Sequence, residues 1–474
     1  MIINPENISN ANYQIIICGS GPAGMSIAID LEKNKINCLI LEAGDTEYSE
    51  KAQNRYNGKV IGQYPDNLSI SRLSQFGGTS NHWGGGCRTL DEYDYIKWPI
   101  KKKDLNPYLD GACKFLKIKN NFRDEELNNS FKSVEFQNSN LNIYYDYFEY
   151  VKKSKYINLA LNTSIYNVKF LDNAINEIII KSEKNSYTIK NKILVLACGG
   201  IENSRLLLWF RHLNPGYFKD LPIGNYWMEH PYKEVGTGIV DNEEVKKFIG
   251  GVNKFNIPSG SNNRSWLAMI SPTYNLIKEQ KILNAIIYID IYERDNSNYK
   301  NILKNLLCTA PKIADTISKF KGVSCGFSIA SSWEQEAIYE NYISLSSNEY
   351  DDLGIKRVNL NYSISDLTLF TMKKIIEELG NTFINKKIGR VAGFDYLWDK
   401  KKFISNAGYH HLGGTRMGLD LKESVVDKNL KVHNVKNLFI AGSSVFPTGG
   451  AANPTLSIVQ LSLKLSKFLT EKII

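Results

Sequence analysis

The stretch YQIIICGSGPAGMSIAIDLEKNKINCLILEAG, residues 13–44, decides the fold. Tyr13 to Cys18 is a short apolar run, and Gly19, Ser20, Gly21, Pro22, Ala23 and Gly24 spell G-x-G-x-x-G. Met25, Ile27, Ala28, Ile29 and Leu31 continue as a helix before Asn37 to Leu41 returns as a strand. Strand, glycine turn, helix, strand is a βαβ unit, the opening of a Rossmann-type α/β domain. Gly19 permits the tight turn, Gly21 lets the backbone approach a pyrophosphate, and Gly24 lets helix and strand pack closely. The diphosphate would sit on the helix N-terminus, where free N–H groups and the helix dipole favour negative charge. Glu42 closes the second strand eighteen residues after Gly24, where an acid binds both ribose hydroxyls and repels a 2′-phosphate. NADP is disfavoured; NAD and FAD remain open on this segment alone.

Outward from this unit, the chain of 474 residues is 43% hydrophobic and 23% charged, a globular composition that excludes disordered and collagen-like classes. No apolar run reaches the roughly 18 to 20 residues of a membrane span, and the first residues lack a basic stretch followed by an apolar core. Seven cysteines, Cys18, Cys38, Cys87, Cys113, Cys198, Cys308 and Cys325, are scattered without a CxxC pair. Neither a disulfide framework nor a metal site is expected. The chain reads as cytoplasmic. A net charge of +9 raises nucleic-acid binding, but Lys and Arg are interleaved with acids and the densest runs, 101–103 and 400–402, are short. A solvated basic surface is expected, with no nucleic-acid partner.

Phe76 to Arg88 carries five glycines between 77 and 86, too many for a regular helix or strand. It reads as a backbone cradle for a flat group, with His82 and Trp83 facing it.

With this loop the sequence resembles the glucose-methanol-choline (GMC) flavoprotein oxidoreductases. The resemblance rests on GSGPAG at 19–24, LEAG at 41–44, GGTSNHWGG at 77–85, LACGGIENSRLLL at 196–208, MEHP at 228–231, HHLGGTRMG at 410–418 and NLFIAGSSVFPTGGAANPTLS at 437–457. The motifs keep the family's order, and the loop is most similar to the pyranose oxidase branch. The resemblance implies FAD, held by Gly19, Gly21, Pro22, Ala23, Gly24, Glu42, Ala43, Gly77, Gly78, Ser80, Asn81, His82, Trp83, Ile165, Ala197, Gly442, Asn453, Pro454 and Thr455. In members with covalent flavin the linking histidine lies four residues after the loop's second glycine, which is His82 here. Other members hold FAD non-covalently, and both remain open.

The family motif, histidine, two residues, Gly-Thr, implies His411 as the active-site base. In a strand neighbours point to opposite faces, which would leave His410 outside the reacting pair. Asn453 falls where the family places the partner of the base, although a local reading also makes it the cap of the C-terminal helix, with Pro454 in the first turn. His230 is expected to pack beneath the cofactor without doing chemistry.

From about 236 to 404 the pattern changes. Ile282 to Asp290, Val323 to Ser332, Tyr342 to Ser346 and Val358 to Tyr362 read as strands, and Asp366 to Leu379 as a helix capped by Ser365. The expected architecture is a discontinuous FAD-binding domain (1–100, 156–235 and 405–474) with an antiparallel-sheet α+β substrate domain (236–404). Segment 101–155 is an excursion covering the active site. The implied reaction is oxidation of an alcohol, a sugar or sugar derivative by the loop's resemblance, with oxygen, a quinone or a protein as electron acceptor. Trp266, Trp333 and some tyrosines of the middle segment are candidates to stack on sugar faces. The competing readings are a non-catalytic flavin scaffold or redox subunit, oxidation of a non-sugar alcohol, and an NAD-dependent dehydrogenase.

Overall fold

A computed structural model of the chain describes residues 1–10, 13–183, 185–190, 193–240, 248, 255–256, 265–266, 268–291, 327–399, 403 and 405–473. The side chain of Trp266, both Cys308 and Cys325, residues 323–326 and the run 400–402 lie outside the described residues. Among the described residues no helix is long and apolar enough to cross a membrane.

The opening βαβ unit forms as expected. β1 (Ile15–Cys18) leads into α1 (Pro22–Lys33), which returns to β2 (Cys38–Leu41). Both strands are wholly buried apolar runs, the pattern of a parallel sheet covered on both faces. β3 (Ile157–Ala160), β4 (Ile193–Leu196) and β5 (Leu438–Ile440) complete a parallel five-stranded sheet in the order β5-β4-β1-β2-β3. The sheet thus gathers strands from three distant parts of the chain. α2 (Gly199–Leu213) follows β4, and α3 (Thr455–Ile473) packs on α1.

The second layer is an antiparallel eight-stranded sheet. Its order runs Gly389–Gly393, Pro231–Val240, Phe327–Trp333, Ala285–Ile291, Ala268–Pro272, Phe131–Val134 and Asp124–Glu126, with Asn406–Ala407 also pairing Pro231–Val240. Segment 101–155 is therefore more than an excursion: it supplies two of these strands. Gln137–Asn138 of the same segment pairs Gly86–Cys87 of the glycine-rich loop. Two expected strands sit elsewhere. Tyr342–Tyr350 and Lys356–Tyr362 form a separate three-stranded sheet, in which Lys356–Tyr362 runs parallel to Gly58–Gly62 of the N-terminal part. Strand pattern cannot reveal which of two sheets an alternating segment joins. β3 is followed closely by a longer strand, Ser164–Leu171, which belongs to a different sheet. Helix Asp366–Asn385 is capped by Ser365, whose side chain accepts from the Thr368 N–H. Trp333 is completely buried, so it packs the core and cannot stack on a sugar.

Candidate active site

The glycine turn works by sterics. Gly19 has φ +100°, and a Cβ there would come within 2.5 Å of Ala197 O; a Cβ on Gly24 would collide with Gly19 O. Both positions are closed to side chains by the protein itself. At Gly21 the nearest atom to a Cβ would be 4.0 Å away, and at Gly84 and Gly199 nothing lies within 4 Å. These bare backbone positions face a cavity of about 450 Å³. Gly21 is the N-cap of α1 and makes no side-chain cap, so the first-turn amides are left to a ligand. The same cavity is lined by Gly78, Ser80, His82, Trp83, Ala197 and Gly442, and also by His411, Asn453, Pro454 and Thr455. A smaller cavity of about 80 Å³ shares Gly19, Glu42, Tyr56 and Cys198 with it and adds Ala43 and Ile165.

Three expected cofactor residues border neither cavity. Gly24 serves the contact of helix and strand. The Gly77 N–H donates to Ser20 Oγ at 2.9 Å, and Asn81 Nδ2 donates to Phe76 O at 2.7 Å. These two hold the loop from behind, because the polar groups of a tight glycine turn must be satisfied locally. Glu42 borders both cavities with its oxygens already engaged. Oε2 accepts from the Ser20 N–H and hydroxyl, and Oε1 from the Gly44 N–H. Burial raises its carboxyl, and these hydrogen bonds oppose the rise. The carboxylate thus braces the glycine turn as well as facing the ligand space.

Segment 408–411 is irregular, and Tyr409 has φ +59°. The strand alternation expected to hide one histidine does not apply, and both rings border the cavity. His411 Nε2 points inward, 3.2 Å from Tyr64 Oη and 3.1 Å from Ser71 Oγ, which leaves Nδ1 for the cavity. His410 Nδ1 lies 2.9 Å from His230 Nδ1, leaving Nε2 for the cavity. Burial, then the nearby Arg72 charge, pushes His411 down to about 3; burial pushes His230 down to about 4. His410 is lowered well below the usual histidine range, by burial first and then by its two histidine neighbours. All three rings are neutral at pH 7.

Tyr64, Ser71, Arg72 and Glu229 were not among the expected site residues. Arg72 is buried and paired with Glu202 at 2.8 Å. Glu229 sits inside the MEHP motif, where the histidine drew attention first; a carboxylate in an apolar run was the available signal.

Asn453 does not cap α3. The Pro454 carbonyl accepts the first helical bond, from the Ile458 N–H at 2.9 Å, while Asn453 Nδ2 donates across to Gly86 O at 3.0 Å. Its amide ties the helix start to the glycine-rich loop. His82 is exposed at the cavity rim, closes the short 3-10 turn Gly78–Asn81, and is lowered by partial desolvation. A neutral imidazole on the cavity wall results.

A family model described as GMC oxidoreductase matches residues 338–462. The C-glycoside 3-oxidase of Microbacterium trichothecenolyticum is 27% identical over 182 residues, 38% of this chain and 33% of that protein. The fructose dehydrogenase large subunit of Gluconobacter japonicus is 25% identical over 286 residues, 60% of this chain and 48% of that one. The chain thus spans a third to a half of these curated relatives. Pyridoxine 4-oxidase from Mesorbium loti shares the fold with a TM-score of 0.61 at 12% identity, over 96% of this chain and 99% of that one. FAD is the cofactor of GMC enzymes, and the residues present fit it: bare glycine backbone and free helix-start amides suit a pyrophosphate, and the smaller cavity continues past Glu42. In its C-terminal part, residues 338–462, the chain carries the GMC oxidoreductase domain.

Proposed function

We propose that the protein oxidises an alcohol, a hydroxyl of a sugar or sugar derivative, to a carbonyl. The observation that carries this reading is that His411 and Asn453, brought from separate segments, border one cavity with the glycine cradle. The names of relatives, C-glycoside 3-oxidase, fructose dehydrogenase and pyranose 2-oxidase, favour a carbohydrate. FAD, held by the glycine cradle, would supply the two-electron acceptor for the hydride. His411 is the base for the hydroxyl proton, through Nδ1, and burial keeps it neutral and ready to accept. Asn453, fixed by Gly86, offers its amide oxygen and second N–H to orient the same hydroxyl and stabilise its developing charge. His82 lies on the cavity wall as the residue that tethers the flavin. The open Nε2 of His410, backed by His230, favours a second reading in which His410 is the base; the variants His411→Asn and His410→Asn separate the two. Oxygen, a quinone or a protein takes the electrons onward.

The test is anaerobic: the visible flavin band is followed while sugars, cyclitols and simple alcohols are added in turn. Bleaching by a sugar supports the reading, and reoxidation by air or a quinone identifies the acceptor. A yellow protein that none of them bleaches overturns it.

A further inference from the structure

Glu229 is completely buried, and its two oxygens are treated differently. Oε1 accepts the N–H of His230 at 2.8 Å and that of His410 at 2.7 Å. Oε2 is buried with no hydrogen-bond partner and lies 4.0 Å from His411 Nε2. The placement is fixed by the backbone, because Met228 and Leu412 exchange N–H···O bonds of 2.8 and 3.0 Å, which sets the residue after Met228 beside the residue before Leu412. An unpaired buried carboxylate oxygen is costly, and here it is aimed at the inner nitrogen of the ring whose outer nitrogen faces the cavity.

We propose that Glu229 takes up the proton that His411 removes from the substrate, so that the working base is a histidine–carboxylate pair. The inference rests on the reading of His411 given above. The alcohol O–H bond breaks and an N–H bond forms at His411 Nδ1. The proton on Nε2 passes to Glu229 Oε2, reached by a small side-chain shift or through the Ser71 or Tyr64 hydroxyl. The imidazole ends neutral, the carboxylate ends as the acid, and the electron pair leaves the carbinol carbon as the hydride taken by FAD.

The energetics support this direction. An imidazolium at His411 is disfavoured by burial and by Arg72, whereas burial pushes the Glu229 carboxyl up to about 8. Of the two, Glu229 holds a proton far more strongly, near the pH at which a base works best. The groups that face or act on Glu229 are His230, His410 and His411, with Asp66, Tyr64, Tyr362 and Tyr409.

Glu229→Gln keeps the volume and the Oε1 acceptor. The holoenzyme variant is expected to retain FAD. Its anaerobic flavin reduction should slow by about a hundredfold, the lower end of what a positioned proton acceptor contributes. The rise of wild-type rate with pH through about 8 should also vanish; Glu229→Asp restores part of both. A Gln variant with wild-type rate and the same rise overturns the proposal, while His411→Asn, run beside it, reports separately on the base. A second readout needs no substrate. In oxidised wild-type protein labelled with ¹⁵N-histidine, the His411 ring shifts should titrate with a midpoint near 8, the value of Glu229. A flat response between about pH 6 and pH 10 overturns the proposal even if no alcohol reduces the flavin or the Gln variant fails to fold.

Discussion

The side-chain amide of Asn453 donates to the carbonyl of Gly86 at 3.0 Å, joining the start of the last helix to a loop 367 residues earlier. The hydrogen bond fixes the amide of a residue that lines the cavity. Asn453→Ala is expected to lose about 1 kcal/mol of stability, a typical net hydrogen bond, and to slow flavin reduction about tenfold or more, as loss of an orienting group does. Melting curves and anaerobic stopped-flow on the same preparation check both, and an unchanged reduction rate removes Asn453 from the reaction.

His411→Ala should keep FAD bound and lose most of the flavin reduction rate, roughly a hundredfold or more for loss of a general base. Its ring hydrogen-bonds Tyr64 and Ser71, neither of them part of the glycine turn at 19–24. The bound-flavin absorbance and the reduction rate together make the measurement, and a near-normal rate excludes His411.

Gly21 and Gly24 separate ligand approach from packing. A methyl at Gly21 meets no protein atom closer than 4.0 Å, so Gly21→Ala should fold with near wild-type stability yet bind FAD more weakly. A methyl at Gly24 strikes Gly19 O, so Gly24→Ala should lower the melting temperature of the apoprotein. Equal effects of the two variants on apoprotein melting would contradict this division.

Flavin should stay with the wild-type chain after acid precipitation and be released from His82→Ala. Complete release from wild type would rule out a tether at His82.

The histidine–carboxylate cluster gives stability a two-sided pH dependence. His230, His410 and His411 are depressed in the folded state, so what they contribute is present above the unfolded value of about 6.5 and is lost as pH falls toward about 4 and then 3. Glu229 is raised, so its contribution is present below the ordinary carboxyl value and is lost as pH rises through about 8. Melting temperatures of wild type and Glu229→Gln should therefore diverge between about pH 5 and pH 8, with the Gln variant declining less toward alkaline pH. Parallel curves would refute the assignment.

By itself the sequence determined the dinucleotide cradle, because G-x-G-x-x-G, its flanking apolar runs and Glu42 are local: sterics and the helix N-terminus act within about thirty residues. It also marked His82, His411 and Asn453, since the motifs carrying them keep a fixed spacing. Only the tertiary structure decided what those side chains touch. That both His410 and His411 reached the cavity depended on an irregular backbone with Tyr409 at positive φ, which strand alternation did not anticipate. Asn453 could cap its own helix or cross to Gly86, and both suit an asparagine; the choice was made by where the distant loop came to lie. Glu229 was the least legible. A carboxylate beside a histidine has no distinctive period, and its meaning arose only when the pairing of Met228 with Leu412 brought it to the inner face of a ring 182 residues onward.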